Sequence, residues 1–416
     1  MKILLINKFY YLKGGTEKHF FELKDVLEKN GHEVIVLSTQ NDKNNFSGKN
    51  EYFIPETKMH LSNFLNGLNL FYNFRAIKEL KKIIAEHNID VAHLHNVGHH
   101  FSPAIIKFLK KKNIPVVMTV HDYKIVCPNY KLFNQGKTCE KCQGGKFYHC
   151  LAGKCVKNSH LASLVLMLES YWAKWKKYYD YVDYFIVPSQ FMKMQLMKNG
   201  IEKNKIKYLP NFLDEEKLEK NESGEMEKYI LFFGRLSQEK GISVLIEAMR
   251  YIKNENIKLK IAGDGEELFN LKKQAEKLKL ENQVEFLGYQ NKEQVKKLIA
   301  NSQFVVVPSV WYENAPYSVL ESFSQAKPVI GSRIGGIEEI IIDGKTGLLF
   351  NPGNAKDLAE KINFLWKNPQ EIYQMGSETS EFFKEKFGSK KYYQGLEKIY
   401  SKLSGSKNID KKPSKC

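Results

Sequence analysis

No stretch of this 416-residue chain is apolar for long enough to cross a bilayer. Its longest apolar runs, FVVVP at 304–308 and PVVMTV at 115–120, have the length of buried strands. The opening MKILLINKF is too short for a secretory signal and reads as a first strand, so a cytoplasmic protein is expected. Acidic side chains are also short in supply: 47 Asp and Glu face 64 Lys and Arg, a net charge of +17 with His neutral. That excess fits a polyanionic partner or a phosphorylated substrate. Yet no recognised nucleic-acid module occurs, nor an aromatic-basic signature of the RRM type, so no nucleic acid is expected. The dinucleotide fingerprint G-x-G-x-x-G is missing as well, which argues against a dehydrogenase.

What is present has a repeating rhythm. Residues 2–7 read as a buried strand, followed by a glycine-rich turn, an amphipathic helix, a stop at Gly31 and a strand at 33–38. This βαβ unit implies a parallel sheet with right-handed crossovers. Further strands are expected at 90–95, 115–122, 184–189 and 206–211. The polar stretch 212–228 breaks the pattern, and then it restarts with YILFFGRL, KLKIAGDG, VEFLGY, FVVVPS, PVIGSR and GLLF separated by helices. The expectation is an α/β chain of two doubly wound Rossmann-like domains facing across a cleft. Their spans are 1–212, with a Cys-rich insert at about 127–157, and 229–388. A linker at 213–228, a C-terminal helix at 389–403 and a disordered tail at 404–416 complete the organisation. Ligands of open α/β sheets bind beyond the carboxyl ends of the strands, so residues just after strands carry the interest.

Gly14 and Gly15 lie between the first strand and first helix, where glycine lets backbone approach a ligand and helix amides attract anions; a tight turn would look the same. In GRLSQEKG (234–241), Arg235 closes a strand and Lys240 stands just before a helix. A planar fork and a mobile point charge beside a helix start make a diphosphate clamp, although a surface Arg and Lys capping a loop share that spacing. In WYENAPYSVLESFSQAKP (311–328), Pro316 suits the first turn of a helix. Glu313 then precedes the helix and Glu321 lies more than one turn inside. The amides from Tyr317 onward favour an anion, which carboxylates do not, so the glutamates are expected to accept from hydroxyl groups on either side.

Taken in order, KGGTE, TVHD, VPSQF, GRLSQEKG, AGDGE, FLGY, the Glu313-x7-Glu321 pair and GGIEEIIIDGKTGLL resemble glycosyltransferase family 4. Members are retaining, nucleotide-sugar-dependent enzymes of GT-B architecture. The resemblance implies that Gly15 meets the donor's distal phosphate and that Arg235 and Lys240 grip the diphosphate. It places Glu321 on the ribose, and Glu313 with the amides of Asn314 and Ala315 on the transferred sugar. Amides near Ser318 and Val319 would meet the phosphates, the base would lie against the turn at Gly288, and His121 would face the reacting centre. Catalytic roles thus fall to Glu313, His121, Arg235 and Lys240. With no D-x-D at a strand end, no cofactor or metal is expected for catalysis beyond a UDP-, GDP- or ADP-sugar co-substrate. Asn314 stands where glycine is common in the family, which bears on the sugar accepted.

Five of the six cysteines crowd into 127–155. Cys139-x-x-Cys142 has the chelating spacing of a zinc knuckle, with Cys150 and Cys155 as partners and Cys127 or His149 in reserve; disulfides and free thiols are the alternatives. The basic-apolar stretches 74–87, 105–113 and 170–181 suit helices lying on an anionic membrane surface, or helices covering a sheet with lysines in water. The expected activity is transfer of a sugar to a glycan or lipid-linked acceptor in surface polysaccharide or glycolipid synthesis, by a cytoplasmic enzyme peripheral on the inner face of the membrane. A non-catalytic sugar-nucleotide-binding or scaffold subunit of a glycan assembly complex is the competing reading.

Overall fold

The computed structural model describes residues 1–44, 46, 48–56, 69–98, 100–214 and 228–409. Two compact units emerge. The first gathers the described residues of 1–132 and 139–210 with the chain from Lys390 onward; the second comprises Phe133–Thr138 and the described residues of 211–389.

In the first unit, strands β1 (Lys2–Ile6), β2 (Glu33–Gln40), β3 (Glu51–Pro55), β4 (Val91–Leu94) and β5 (Val116–Thr119) precede the cysteine-rich segment. That segment carries a small hairpin, β6 (Phe133–Asn134) and β7 (Lys137–Thr138), which groups with the second unit. Strands β8 (Tyr184–Val187) and β9 (Ile206–Tyr208) complete the first sheet, ordered β3-β2-β1-β4-β5-β8-β9 and parallel throughout. Ile3 to Ile6 are fully buried because helices cover both faces, which is why β1 reads as a continuous apolar run. Helix Phe74–Glu86 turns Ala76, Ile77, Leu80 and Ile83 inward and leaves Lys78, Lys81 and Lys82 exposed. The basic stretch there is therefore a sheet-covering helix, and Ala104–Lys111 buries Ile105, Ile106 and Leu109 likewise. β3 escapes a periodicity reading because Ile54 alone of its five residues is buried, as suits an edge strand.

The second unit contains β10 (Tyr229–Phe233), β11 (Lys258–Ala262), β12 (Val284–Gly288), β13 (Phe304–Val307), β14 (Val329–Ser332) and β15 (Gly347–Phe350). Their order is β12-β11-β10-β13-β14-β15, again all parallel. Alternation assigns each face. Ile230, Phe232, Phe304 and Val306 enter one apolar cluster, while Tyr229, Leu231, Phe233, Val305 and Val307 enter the other.

The chain's last described helix departs from expectation. It runs Ser389–Ile409, past the 403 limit, and from Lys390 onward it groups with the first unit. Polar tips of its tyrosines explain the docking: Tyr392 reaches His19 at 3.1 Å, Tyr393 reaches His32 at 2.8 Å and Tyr400 reaches His93 at 2.6 Å. Of the expected linker and tail, 215–227 and 410–416 lie outside the described residues.

Glycines set how closely the strand-end loops of the second unit approach one another. A Cβ on Gly263, at φ +151°, would stand 1.9 Å from the Gly234 carbonyl oxygen. Gly263→Ala should therefore lower the unfolding free energy by at least about 2 kcal/mol in urea titration of the full chain. A change under about 0.5 kcal/mol would show that the loops part easily.

Candidate active site

In the second unit, functional side chains collect where strands end. β10 runs into Gly234 and Arg235, and the Arg235 guanidinium donates to Glu239 at 2.7 Å and to Ser237 at 3.3 Å. Glu239 is buried while the Arg235 side chain is 61% exposed, so the guanidinium is anchored at one end and presented to solvent at the other. Lys240 follows. Gly241, in a left-handed conformation, lets this turn lie on the end of β13; a Cβ there would be 2.0 Å from the Pro308 carbonyl oxygen. The approach is sealed by the Val310 amide donating to the Glu239 carbonyl at 3.0 Å.

The consequence is an ion pair. Lys240 Nζ donates to Glu313 Oε1 at 2.6 Å, and Ser309 Oγ donates to the same oxygen at 2.7 Å. Glu313 is only 5% exposed. Burial alone would raise its pKa, but the Lys240 ammonium and the hydrogen bonds from Lys240 and Ser309 outweigh it and hold the carboxyl below the ordinary range. The loop carrying Glu313 rests on the Gly335-Gly336 turn: the Gly336 amide donates to the Glu313 carbonyl at 2.7 Å, and a Cβ on Gly336 would fall 1.8 Å from the Asn314 carbonyl oxygen. Ala315 is fixed from the other side by Asn211, whose amide donates to its carbonyl at 2.9 Å.

Pro316 is the N-cap of helix Tyr317–Ser324, one place earlier than the first-turn position expected, and no side chain caps that end. Ser318 and Val319 lie in the opening turn, and Glu321 lies a full turn in. Gly288 ends β12 at φ +66°, after a register shift opposite Ile261 and Ala262. Asp264 accepts from the Gly265 amide at 2.7 Å, the role of a turn residue.

Gly14, Gly15 and His121 belong to the first unit. Gly14 is the extended N-cap of helix Gly15–Lys29, with no side-chain cap. A Cβ on it would meet nothing nearer than Glu17 Oε2 at 3.8 Å, so the protein's own packing does not require glycine there. His121 follows β5 and lines a pocket with Lys8, His95, Asn96, Asp122 and Lys124. Behind it stands a group that sequence reasoning missed. His93 and His95 stack at 4.7 Å and His95 and His121 at 5.2 Å, with His95 Nδ1 2.9 Å from His121 Nε2. His19 closes the group edge-on to His121 at 5.0 Å. Its one signal was two histidines, alternating at the end of β4 in HLH. Burial drives His19 and His93 down to about 3 and, with neighbouring imidazoles, holds His95 and His121 well below their ordinary value. Donor atoms of His19, His95 and His121 lie within 4.8 Å of one another, the spacing of a metal triad, but here His95 and His121 share a hydrogen bond and His19 binds Tyr392.

Comparison with known proteins decides the family. The model for Glycosyltransferase Family 4 matches residues 13–217, and that for Glycosyl transferases group 1 matches 214–382. The chain belongs to glycosyltransferase family 4. An uncharacterized glycosyltransferase of Methanocaldococcus jannaschii is 28% identical over 97% of this chain and 99% of its own length. The N-acetyl-alpha-D-glucosaminyl L-malate synthase of Bacillus anthracis is 31% identical over 42% of this chain and 46% of its own. Among solved structures, sucrose-phosphate synthase of Thermosynechococcus elongatus superposes with TM-score 0.74 at 19% identity, covering 97% of this chain and 99% of that one. Anabaena HepE in complex with UDP and glucose gives 0.67 at 17% identity over 97% and 100%. These likenesses show the GT-B fold, with its two Rossmann-like halves.

Within this glycosyltransferase, Arg235, Lys240, Glu313 and the loop to Ala315 are tied into one network of the second unit. Two outcomes follow from the electrostatics. Lys240→Met strands a buried carboxylate and should cost about 3 kcal/mol in urea unfolding at pH 7, with Glu313→Gln in the same chain recovering part of it; a single-variant loss below about 1 kcal/mol would contradict the pairing. The histidines stay neutral in the folded chain but protonate near pH 6.5 once unfolded. Stability should therefore fall as pH drops from about 6.5 toward 3, by up to about 1.4 kcal/mol per pH unit for each such imidazole. Urea midpoints that hold steady or rise between pH 7 and pH 5 would overturn this.

Proposed function

We propose that this glycosyltransferase transfers a sugar, with retention of anomeric configuration, from a nucleotide-diphosphate sugar to a glycan or lipid-linked acceptor in surface polysaccharide or glycolipid synthesis. The observation that carries the reading is the Lys240–Glu313 pair at the carboxyl edge of the second sheet, with the outward guanidinium of Arg235 and the uncapped helix at Tyr317 on the same unit. An ammonium has three donors. One goes to Glu313, which leaves Lys240 able to serve a phosphate while keeping Glu313 ionised. Glu313, with the amides of Asn314 and Ala315, then accepts from hydroxyls of the transferred sugar and stabilises oxocarbenium-like charge.

Arg235, Lys240 and the amides at Ser318 and Val319 take the diphosphate, where negative charge grows as the sugar–phosphate bond breaks. The acceptor hydroxyl attacks on the leaving-group side, and the departing phosphate oxygen takes its proton. Catalysis therefore runs on fixed cations and amides rather than on a divalent metal. Glu321 holds the ribose, and Gly288, whose backbone turns at positive φ, leaves a flat place for the base. Gly15 serves the distal phosphate and His121 the sugar in transit; the absence of a packing demand for glycine at Gly14 agrees with a ligand passing close to that turn. The UDP held by Anabaena HepE makes uridine the first nucleotide to try.

An acceptor on a lipid calls for attachment to a membrane, and one helix is suited to it. Leu161, Leu168 and Trp175 recur every seven residues along His160–Trp175 and are exposed to 51%, 46% and 67%. Lys174 precedes Trp175, Lys176 and Lys177 follow it, and the Lys176 ammonium lies 3.9 Å from the centre of the Trp175 ring. We place this face on an anionic leaflet. Flotation with phosphatidylglycerol vesicles should recover the wild type and lose Leu168→Glu/Trp175→Glu; equal recovery of both would remove the membrane from the account.

Donor binding is tested by saturation-transfer NMR and thermal shift over a panel of nucleotides and UDP-, GDP- and ADP-sugars. One donor family should bind the wild type, and Arg235→Ala and Glu321→Ala should each weaken it at least tenfold. Binding to no donor, or equal binding by both variants, would favour a scaffold subunit instead.

A further inference from the structure

Among the described residues of the second unit, two buried side-chain polar atoms lack a hydrogen-bond partner: Nε1 of the Trp311 indole and Oδ1 of Asn211. Both attend the same loop. Trp311 lies on the segment 309–316 itself, and Asn211 holds that segment through the Ala315 carbonyl. A buried N–H without an acceptor costs stability, so its place beside Glu313 calls for a reason.

Local geometry brings that N–H to the carboxyl. The Glu313 amide donates to the Trp311 carbonyl at 2.9 Å, a three-residue turn about Tyr312. The Lys240 ammonium stands 5.8 Å from the centre of the indole ring, at the outer reach of a cation–π contact, while it donates to Glu313 Oε1. Burial raises the pKa of Glu313; Lys240, then Ser309 and last the Trp311 indole lower it. The indole is thus near the carboxyl but stops short of bond geometry. Lys240 and Ser309 both take Oε1, and that anchors the carboxyl where it is.

We propose that Trp311 and Glu313 together grip one unmodified hydroxyl of the transferred sugar, which makes Trp311 a specificity-determining residue. This rests on the donor-site reading above. An indole N–H only donates, and an ionised carboxylate only accepts. A hydroxyl does both: its hydrogen goes to Glu313 and its oxygen accepts from Trp311. Substituents that manage only one half are turned away. A methyl ether has no hydrogen to give, an ammonium or acetamido nitrogen has no lone pair to offer, and a deoxy carbon has neither. A site with paired polar groups rejects such analogues because its own buried groups are then left unpaired.

Trp311→Phe keeps a ring beside Lys240 and removes the N–H. The test compares this variant with the wild type, as full chains, by calorimetry with UDP-glucose, GDP-mannose and ADP-glucose, each beside its own diphosphate. The diphosphate that binds should hold to both chains within about twofold, which also shows the variant to be folded, and its sugar form should lose about tenfold on the variant. Among the monodeoxy forms of that sugar nucleotide, one should lose about tenfold on the wild type and much less on the variant. In proton–nitrogen spectra the Trp311 indole peak, identified by its absence from the variant, should move downfield with the sugar nucleotide and stay in place with the diphosphate. Equal affinity of both chains for the sugar form, an unmoved indole peak, or deoxy losses that match in both chains would each overturn the grip and leave the donor site standing. A variant that loses the diphosphate as well would make Trp311 a support of the loop and not a selector. Binding of none of these probes by the wild type would remove the donor site itself, and the grip with it.

Discussion

Both large sheets are parallel throughout, and the rest of the molecule follows from that constraint. A parallel strand cannot return by a hairpin, so each connection must cross a face of the sheet, usually as a helix. Strands covered on both faces become continuous apolar runs, and every loop leaving a carboxyl end falls on one edge of its sheet. In the second unit that edge receives Arg235, Asp264, Gly288 and the loop 309–316. In the first it receives the Gly14 turn, His95 and His121. Chemistry accumulates there because chain path leaves the segments free of core duty.

The two edges handle charge in opposite ways. In the second unit a carboxylate is buried beside an ammonium 2.6 Å away and stays ionised. In the first, four imidazoles are buried on one another and kept neutral, with hydroxyls of Thr119, Tyr392 and Tyr400 as partners. A group poised as an anion and a group poised as a neutral donor or acceptor are different tools. The former suits hydroxyl recognition and cation stabilisation; the latter positions His121 through His95 without adding charge to the pocket.

Much of this was legible in the sequence. Apolar runs such as KILLI and FVVV located strands, and Pro316 located the start of the helix that follows Glu313. What periodicity could not read had specific causes. β3 buries one residue of five, and so carries too weak an apolar signal. The last helix hides its docking role in tyrosine hydroxyls, which pattern reading scores as exposed. The pairing of Lys240 with Glu313 spans 73 positions and depends on Gly241 lying against Pro308.

The central claim is that the ionised Glu313 and the cations near it break a sugar–phosphate bond with retention. Slow hydrolysis of the bound donor tests it without knowledge of the acceptor, because water then takes the acceptor's place. Proton NMR should show the first-formed free sugar with the donor's own anomeric configuration, before mutarotation, and Lys240→Ala should slow its release at least a hundredfold. A first-formed sugar of opposite configuration, or hydrolysis at the wild-type rate in Lys240→Ala, would contradict the account.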